Sequence, residues 1–420
     1  MMDIVKVCKE AKAASRALAL ADCKQKKQAL SLLAEGLHES EKDIVLENLK
    51  DIGVAKKNGL SEAMIDRLTL TPERIRGIAA DLEAVIRLPD PVGEVFESQT
   101  LPNGLKIRKQ RVPLGVIAVI YESRPNVTVD VAALALKSGN ALILRGGSET
   151  LNSNRILIRG IRQTLEGAGI DPAVVQFIDN PSRALVNHLL KMHEYVDMLI
   201  PRGGAGLHTF CRENSTIPVI TGGIGICHLY VDESADLDRS IEVIRNAKIQ
   251  RPSVCNALDT VLVHEKVAPV LIPKLIAELK QDGVNFRMEA ETMRGLEMKT
   301  SESVQEAGEN DFDTEWLSLV LGIKRVSGLD EALAHIAAHS TGHSDGILTG
   351  NRANAERFTH EVDSAAVYVN ASTRFTDGGQ LGLGAEVAVS TQRLHARGPM
   401  ALRELTTYKW VVEGDYQVRI

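Results

Sequence analysis

From Leu114 onward the chain alternates short, almost wholly apolar runs with segments of helical periodicity, and this alternation constrains the fold more than any other feature. Gly115 to Tyr121, Ala141 to Leu144, Val174 to Ile178 and Met198 to Ile200 are apolar runs of strand length. Between them Val127 to Ser138, Ser153 to Glu166 and Pro181 to Lys191 are patterned as helices. Strands that are apolar on both faces must be covered on both faces. The pattern therefore predicts a parallel sheet flanked by helices, an α/β architecture. The alternation restarts near Leu229, which predicts a second α/β domain. A chain of 420 residues also exceeds what one ordinary core organises.

The ends of the chain read differently. Residues 1 to about 92 carry helical spacing, as at Ala29, Leu30, Leu32, Leu33 and Leu37, and Thr71-Pro72 marks a helix start. Two alternating stretches, Gly93 to Thr100 and Leu105 to Val112, flank Asn103-Gly104, the strongest short hairpin signal. Thr406 to Val418 alternates like a further strand pair. Exposed strand edges need a partner, so these segments predict an oligomerisation element, the alternative being a plain surface hairpin. The expected division is residues 1–97 and 113–229, then 230–398, with 98–112 and 399–420 as the β element.

Hydrophobic residues make up 44% and charged residues 25%, with a net charge of -6. That is a soluble composition with no basic footprint for nucleic acid. The five cysteines are scattered and form no CxxC pair, which argues for a reducing compartment. No apolar run approaches the roughly 18 residues of a membrane span, and the N-terminus lacks a signal core. A cytoplasmic location is expected.

Cys255 is the leading candidate for chemistry. Pro252 in Gln250-Arg251-Pro252-Ser253-Val254-Cys255-Asn256 ends a predicted helix, so an extended turn presents the thiol. Arg251 nearby favours the thiolate, which suits covalent catalysis at a carbonyl carbon. A small buried cysteine is the competing reading. Arg145-Gly146-Gly147-Ser148-Glu149 follows a strand at its carboxyl end, where open α/β sheets bind ligands. Pro201-Arg202-Gly203-Gly204 also follows a strand and opens a helix, a context that suits a pyrophosphate. Either glycine turn is also an ordinary strand-to-helix connection. Thr221-Gly222-Gly223-Ile224-Gly225 reads as a structural turn. His335, His339 and His343 are spaced for one helix face, but His343 follows Ser340-Thr341-Gly342, where the helix ends. No HExxH accompanies them, so packing is favoured over metal.

The order of hairpin, Pro113-Leu114-Gly115-Val116-Ile117, Ser138-Gly139-Asn140-Ala141, Leu144-Arg145, glycine turn and cysteine resembles the aldehyde dehydrogenase superfamily. Tyr121-Glu122-Ser123-Arg124-Pro125-Asn126, His339-Ser340-Thr341-Gly342-His343-Ser344-Asp345-Gly346 and Leu394-His395-Ala396-Arg397-Gly398-Pro399 carry the likeness to one branch of it. The resemblance implies an aldehyde-dehydrogenase-like fold of two open-sheet α/β domains and catalysis by Cys255. Hydrolytic members hold a glutamate base two residues before the Gly-Gly turn; Ile220 stands there. An aliphatic side chain is no base, so the resemblance points to an acyl-phosphate substrate, L-glutamyl 5-phosphate, reduced in proline biosynthesis.

The likeness also implies a cofactor site. Arg145 takes the place of a lysine, and Ser148 that of a carboxylate, on the adenine ribose. This favours NADPH/NADP, with Gly146, Gly203, Gly204 and Glu315 as further cofactor residues. Arg124, Asn126, Arg251, His343 and Ser344 are the substrate-binding candidates. A homodimer or homotetramer, and functional coupling to glutamate 5-kinase, are implied as well. The alternatives are a hydrolytic NAD(P)-dependent aldehyde dehydrogenase and a non-catalytic nucleotide-binding scaffold.

Overall fold

The computed structural model describes residues 3–222 and 224–419. Gly223, within the third glycine-rich turn, lies outside the described residues. The chain divides into two compact units. One holds the residues up to Thr221 together with Gly382–Ala388 and the segment from Pro399 onward; the other holds Gly222–Leu381 and Val389–Gly398.

The first unit begins with five helices: α1 (Ile4–Leu18), α2 (Cys23–Glu39), α3 (Glu41–Lys57), α4 (Glu62–Leu68) and α5 (Pro72–Arg87). Their starts are written locally. Asp3 accepts from the Val5 and Lys6 N–H groups, and Thr71 Oγ1 accepts from Arg74 N with Pro72 in the first turn. The hairpin strands β1 (Val95–Thr100) and β2 (Lys106–Pro113) follow. The βα region then runs β3 (Val116–Tyr121), α6 (Asn126–Lys137), β4 (Ala141–Gly146), α7 (Leu151–Gly167), β5 (Val175–Phe177), α8 (Arg183–Leu189), β6 (Met198–Arg202) and α9 (Ala205–Asn214). Its strands pair in parallel in the order β5-β4-β3-β6, and β3 is buried at every position.

The second unit carries a parallel seven-stranded sheet. Its elements are β7 (Cys227–Val231), α10 (Leu237–Ile249), β8 (Leu258–His264), α11 (Ala268–Leu279), β9 (Asn285–Met288), α12 (Ala290–Gly295), β10 (Val304–Glu306), β11 (Val320–Val326), α13 (Leu329–His339), β12 (Ser344–Leu348), α14 (Arg352–Glu361) and β13 (Ala366–Val369). The order is β10-β9-β11-β8-β7-β12-β13. Val261 and Val263 of β8 enter a core on one face with α10 and α11 residues, while Leu262 enters the core on the other. That alternation is the period-two strand pattern buried on both faces.

Two short strands, β14 (Val389–Ser390) and β15 (Gly398–Pro399), precede β16 (Thr406–Glu413). The sequence pattern at Thr406 to Val418 suggested two strands; only β16 forms, and it pairs antiparallel with β2 to complete the sheet β1-β2-β16. Its partner lies far away in sequence, so a local pattern could not supply it. β16 is an edge strand with Tyr408, Trp410 and Val412 exposed. Lys109 lies over the Tyr408 and Trp410 rings, 4.6 and 5.1 Å from their centroids.

Candidate active site

Cys255 lies in the turn between α10 and β8. Helix α10 stops at Ile249, and Pro252 has no N–H with which to extend it. The turn is clamped from the segment after β13. Asn256 Nδ2 donates to the Thr376 carbonyl at 2.9 Å, and Thr373 Oγ1 donates to the Asn256 carbonyl at 2.7 Å. The Arg374 guanidinium donates to Asn256 Oδ1 and, at 3.0 Å, to Gln250 Oε1. The residue after the nucleophile candidate is thus held at its side-chain amide and at its carbonyl.

A second backbone segment presses on the turn. Cys227 Sγ approaches the Cys255 carbonyl oxygen at 3.2 Å. A Cβ on Gly225 would fall 1.6 Å from the same oxygen, so only glycine fits there. Gly225 N also donates to Glu315 Oε1 at 3.0 Å. One glycine therefore joins Cys255 to Glu315, a cofactor residue implied by the resemblance. Burial pushes Glu315 above the usual carboxylate range, and the Gly225 N–H pulls it partly back.

Two cysteines meet here with different environments. Cys255 is half-buried and not in a disulfide. Cys227 is fully buried, and burial pushes its thiol well above its ordinary value, so it stays protonated at neutral pH. Two arginines stand near Cys255. Arg251 is exposed, and Arg374 is half-buried, its own pKa lowered first by burial and then by the like charge of Arg251. Beneath, Asp259 accepts from Trp316 N at 3.2 Å and lies 3.6 Å from Lys248 Nζ; burial pushes Asp259 up to about 6.

His343 and Ser344 are both 0% exposed. His343 Nδ1 lies 2.8 Å from Ser344 Oγ, and that oxygen is 2.6 Å from Thr376 Oγ1, which also meets the Tyr368 hydroxyl at 2.7 Å. Burial holds His343 down to about 4, so it is neutral. The pair braces the Thr376 segment that grips Asn256. His335 packs edge-on against His228 and Phe312, and burial lowers it to about 2. His339 Nδ1 pairs with Asp313 Oδ1 at 2.8 Å.

In the first unit the candidates gather at the carboxyl ends of β3, β4 and β6. Arg145 donates through Nη2 to the Pro181 carbonyl at 2.8 Å, while its buried Nε finds no partner among the described residues. An orphaned donor on a guanidinium, at this edge of an open sheet, fits an anionic ligand such as a nucleotide phosphate. Ser148 is exposed. Glu149 turns back instead, accepting from Ser123 N at 2.8 Å and Oγ at 3.1 Å, and so holds Ser123 at φ 49°.

The glycines answer to neighbouring side chains. A Cβ on Gly146 would strike Asn154 Nδ2 at 2.2 Å, and one on Gly203 would strike Glu122 Oε2 at 2.3 Å. Gly204 N, at the start of α9, already donates to Glu122 Oε2 at 3.1 Å. A pyrophosphate at that helix end would have to displace a carboxylate first. Asn126 opens α6 and donates to Asp130 Oδ2 at 2.8 Å, and burial pushes Asp130 up to about 7. Arg124 lies half-buried in the same β3–α6 turn. Ile220 is buried at 1% exposure.

Sequence reasoning missed Thr373, Arg374, Thr376 and Cys227. The one local signal for the first three was a polar turn, Ser372-Thr373-Arg374-Phe375-Thr376-Asp377, directly after a strand.

The model of the aldehyde dehydrogenase family matches residues 1–303. A gamma-glutamyl phosphate reductase of Vibrio vulnificus strain YJ016 is 55% identical over 418 residues, covering 100% of both chains. One from Escherichia coli O1:K1 is 55% identical over 409 residues, 97% of this chain and 98% of its own. A crystal structure of gamma-glutamyl phosphate reductase from Thermotoga maritima superposes with a TM-score of 0.96 at 48% identity, covering 100% of both. An acetylating aldehyde dehydrogenase of Geobacillus thermoglucosidasius shares the fold, with a TM-score of 0.72 at 20% identity over 99% of this chain and 97% of its own. The chain belongs to the aldehyde dehydrogenase family and, within it, groups with the gamma-glutamyl phosphate reductases.

Proposed function

We propose that this chain reduces L-glutamyl 5-phosphate to L-glutamate 5-semialdehyde, releasing phosphate, through a thioester on Cys255 and with NADPH. The observation that carries the reading is the Cys255 turn: a half-buried thiol, a clamped neighbour, and the guanidiniums of Arg251 and Arg374. These guanidiniums favour the thiolate. The thiolate attacks the acyl carbon and forms the C–S bond, moving the carbonyl electron pair onto oxygen; as that oxyanion collapses, the C–O bond to phosphate breaks and phosphate leaves with the bonding pair. Arg251 supplies charge for that leaving group. The oxyanion formed at the acyl carbon takes the Cys255 backbone N–H as its donor.

Arg145 would hold the cofactor's ribose phosphate. When bound, a nicotinamide cofactor supplies the hydride that takes the thioester to the aldehyde level. Glu149, spent on Ser123, offers no carboxylate to repel a 2′-phosphate, which supports NADPH over NADH. Ile220, buried and aliphatic, offers no base for water, so phosphate serves as the nucleophile in the reverse direction. His343 and Ser344 act from behind, through Thr376. The exposed edge of β16 is the surface through which copies of the chain associate.

The test is oxidation of L-glutamate 5-semialdehyde with NADP, with and without inorganic phosphate. Turnover should depend on phosphate. Equal rates without it would mean water cleaves the thioester, and the acyl-phosphate reading would fall.

A further inference from the structure

Beside the Cys255 turn lies a cavity of about 190 Å³ lined by Asn246, Gln250, Arg374, Phe375, Asp377 and Gln380. We propose that it is the subsite for the α-amino-carboxylate head of the substrate, with Arg374 taking the carboxylate and Asp377 the ammonium. This rests on the reading of the reaction given above and extends it to how the substrate is told from other acyl phosphates and aldehydes.

The cavity offers one cation, one carboxylate and three amides. A phosphate would meet Asp377 as a like charge. A plain aliphatic aldehyde would leave both charges without a counterpart. A zwitterionic head matches both. Arg374 spends hydrogen bonds on two neutral oxygens, Gln250 Oε1 and Asn256 Oδ1. A guanidinium carries five N–H donors, so donors remain for a carboxylate. Asp377 Oδ1 accepts from Gly379 N at 2.9 Å and Gln380 N at 3.1 Å, which orients the group. A carboxylate accepts about four hydrogen bonds, so capacity remains for an ammonium.

The reach also fits. Arg374 is bonded to Asn256, the residue next to Cys255, and consecutive Cα atoms lie about 3.8 Å apart. In a glutamyl chain three C–C bonds of about 1.5 Å separate the reacting carbon from Cα, a span of roughly 4 Å.

The experiment compares three aldehydes in the phosphate- and NADP-dependent direction: L-glutamate 5-semialdehyde, 4-aminobutanal, which lacks the carboxylate, and glutarate semialdehyde, which lacks the amine. Arg374→Met also removes a clamp on the Cys255 turn, so kcat/KM should fall with every aldehyde, but about 10- to 100-fold further with L-glutamate 5-semialdehyde than with 4-aminobutanal, the extra loss lying in KM. Arg374→Lys should lose less. Asp377→Asn should cost about 10-fold with L-glutamate 5-semialdehyde and leave glutarate semialdehyde unchanged. Equal losses on all three aldehydes would mean that these residues only brace the turn, and the subsite would be wrong while the reaction stood. A wild-type protein with no phosphate-dependent turnover would sink the reaction itself, and the subsite with it.

Discussion

The two sheets place their chemistry at opposite ends. In the first unit the candidate residues follow strands: Glu122 and Ser123 after β3, Arg145 near the end of β4, Gly203 and Gly204 after β6. In the second they precede strands: Cys255 before β8, Glu315 before β11, His343 before β12. The first arrangement is the usual one for open α/β sheets, because strand-to-helix turns end at helix N-termini, where N–H groups and the positive end of the dipole face an anion. In the second, Cys255 and His343 lie in helix-to-strand loops, while Glu315 lies in the connection from β10 to β11. The two helix-to-strand loops follow helix C-termini, whose free carbonyls carry the negative end. An anionic thiolate or phosphate gains nothing from that backbone. The cations there must be side chains, and Arg251 and Arg374 are what the second unit supplies.

That contrast is broken most directly at the nucleophile. Cys255→Ser should lower kcat on the order of 10⁴-fold or more, because the hydroxyl has neither the acidity nor the nucleophilicity of the thiol. NADPH affinity, followed by fluorescence, should stay within about 2-fold, since Arg145 and its turn are untouched. A variant that keeps a tenth of the activity would mean that the chemistry of the second sheet does not run through its amino edge at all.

The next effect is one of stability and has opposite signs in the two units. His343 is held down to about 4 by burial, against roughly 6.5 for a free imidazole. Between those values the unfolded chain binds a proton that the folded chain refuses. Stability is therefore fully present above about pH 6.5 and falls as pH drops toward 4, by up to about 3 kcal/mol for this group. Asp130 of the first unit runs the other way: pushed up to about 7, it favours the folded state in acid and loses that advantage as pH rises from about 4 to 7. Asp259 opposes His343 within the second unit, so the readout is a difference. Urea unfolding of wild type and His343→Gln, at pH 7.5 and pH 5, should show the smaller pH dependence in the variant. Equal dependence would mean that His343 is protonated inside the fold.

The first sheet was legible in the sequence because its strands are buried on both faces and read as unbroken apolar runs. The Cys255 turn was legible because Pro252 writes it locally. Arg374 was not, since it reaches Asn256 across 118 positions, and no spacing rule spans that separation. His343 entered as a substrate-binding candidate through the resemblance. In the fold it sits directly before β12, fully buried, with Nδ1 2.8 Å from Ser344 Oγ and no partner for its Nε2 among the described residues. β16 was half legible: its alternation announced a strand, but the partner, β2, precedes the whole second unit in sequence.

The smallest expected effect tests whether the first sheet reads an anion as its edge suggests. Arg145→Met removes the guanidinium but keeps an apolar stem of similar length. If Nε and the remaining donors hold a ribose phosphate, KM for NADPH should rise about 10- to 100-fold, the range for a hydrogen bond to a charged group. NADH, which lacks that phosphate, should change by less than about 3-fold. Steady-state rates with each cofactor give the ratio. A parallel loss with both would assign Arg145 to its bond with the Pro181 carbonyl, a structural tie between the ends of β4 and the segment before α8. The first unit would then be without its anion-reading side chain. Its carboxyl edge would hold phosphate by backbone alone, and Glu122 at the head of α9 would be the group that has to give way.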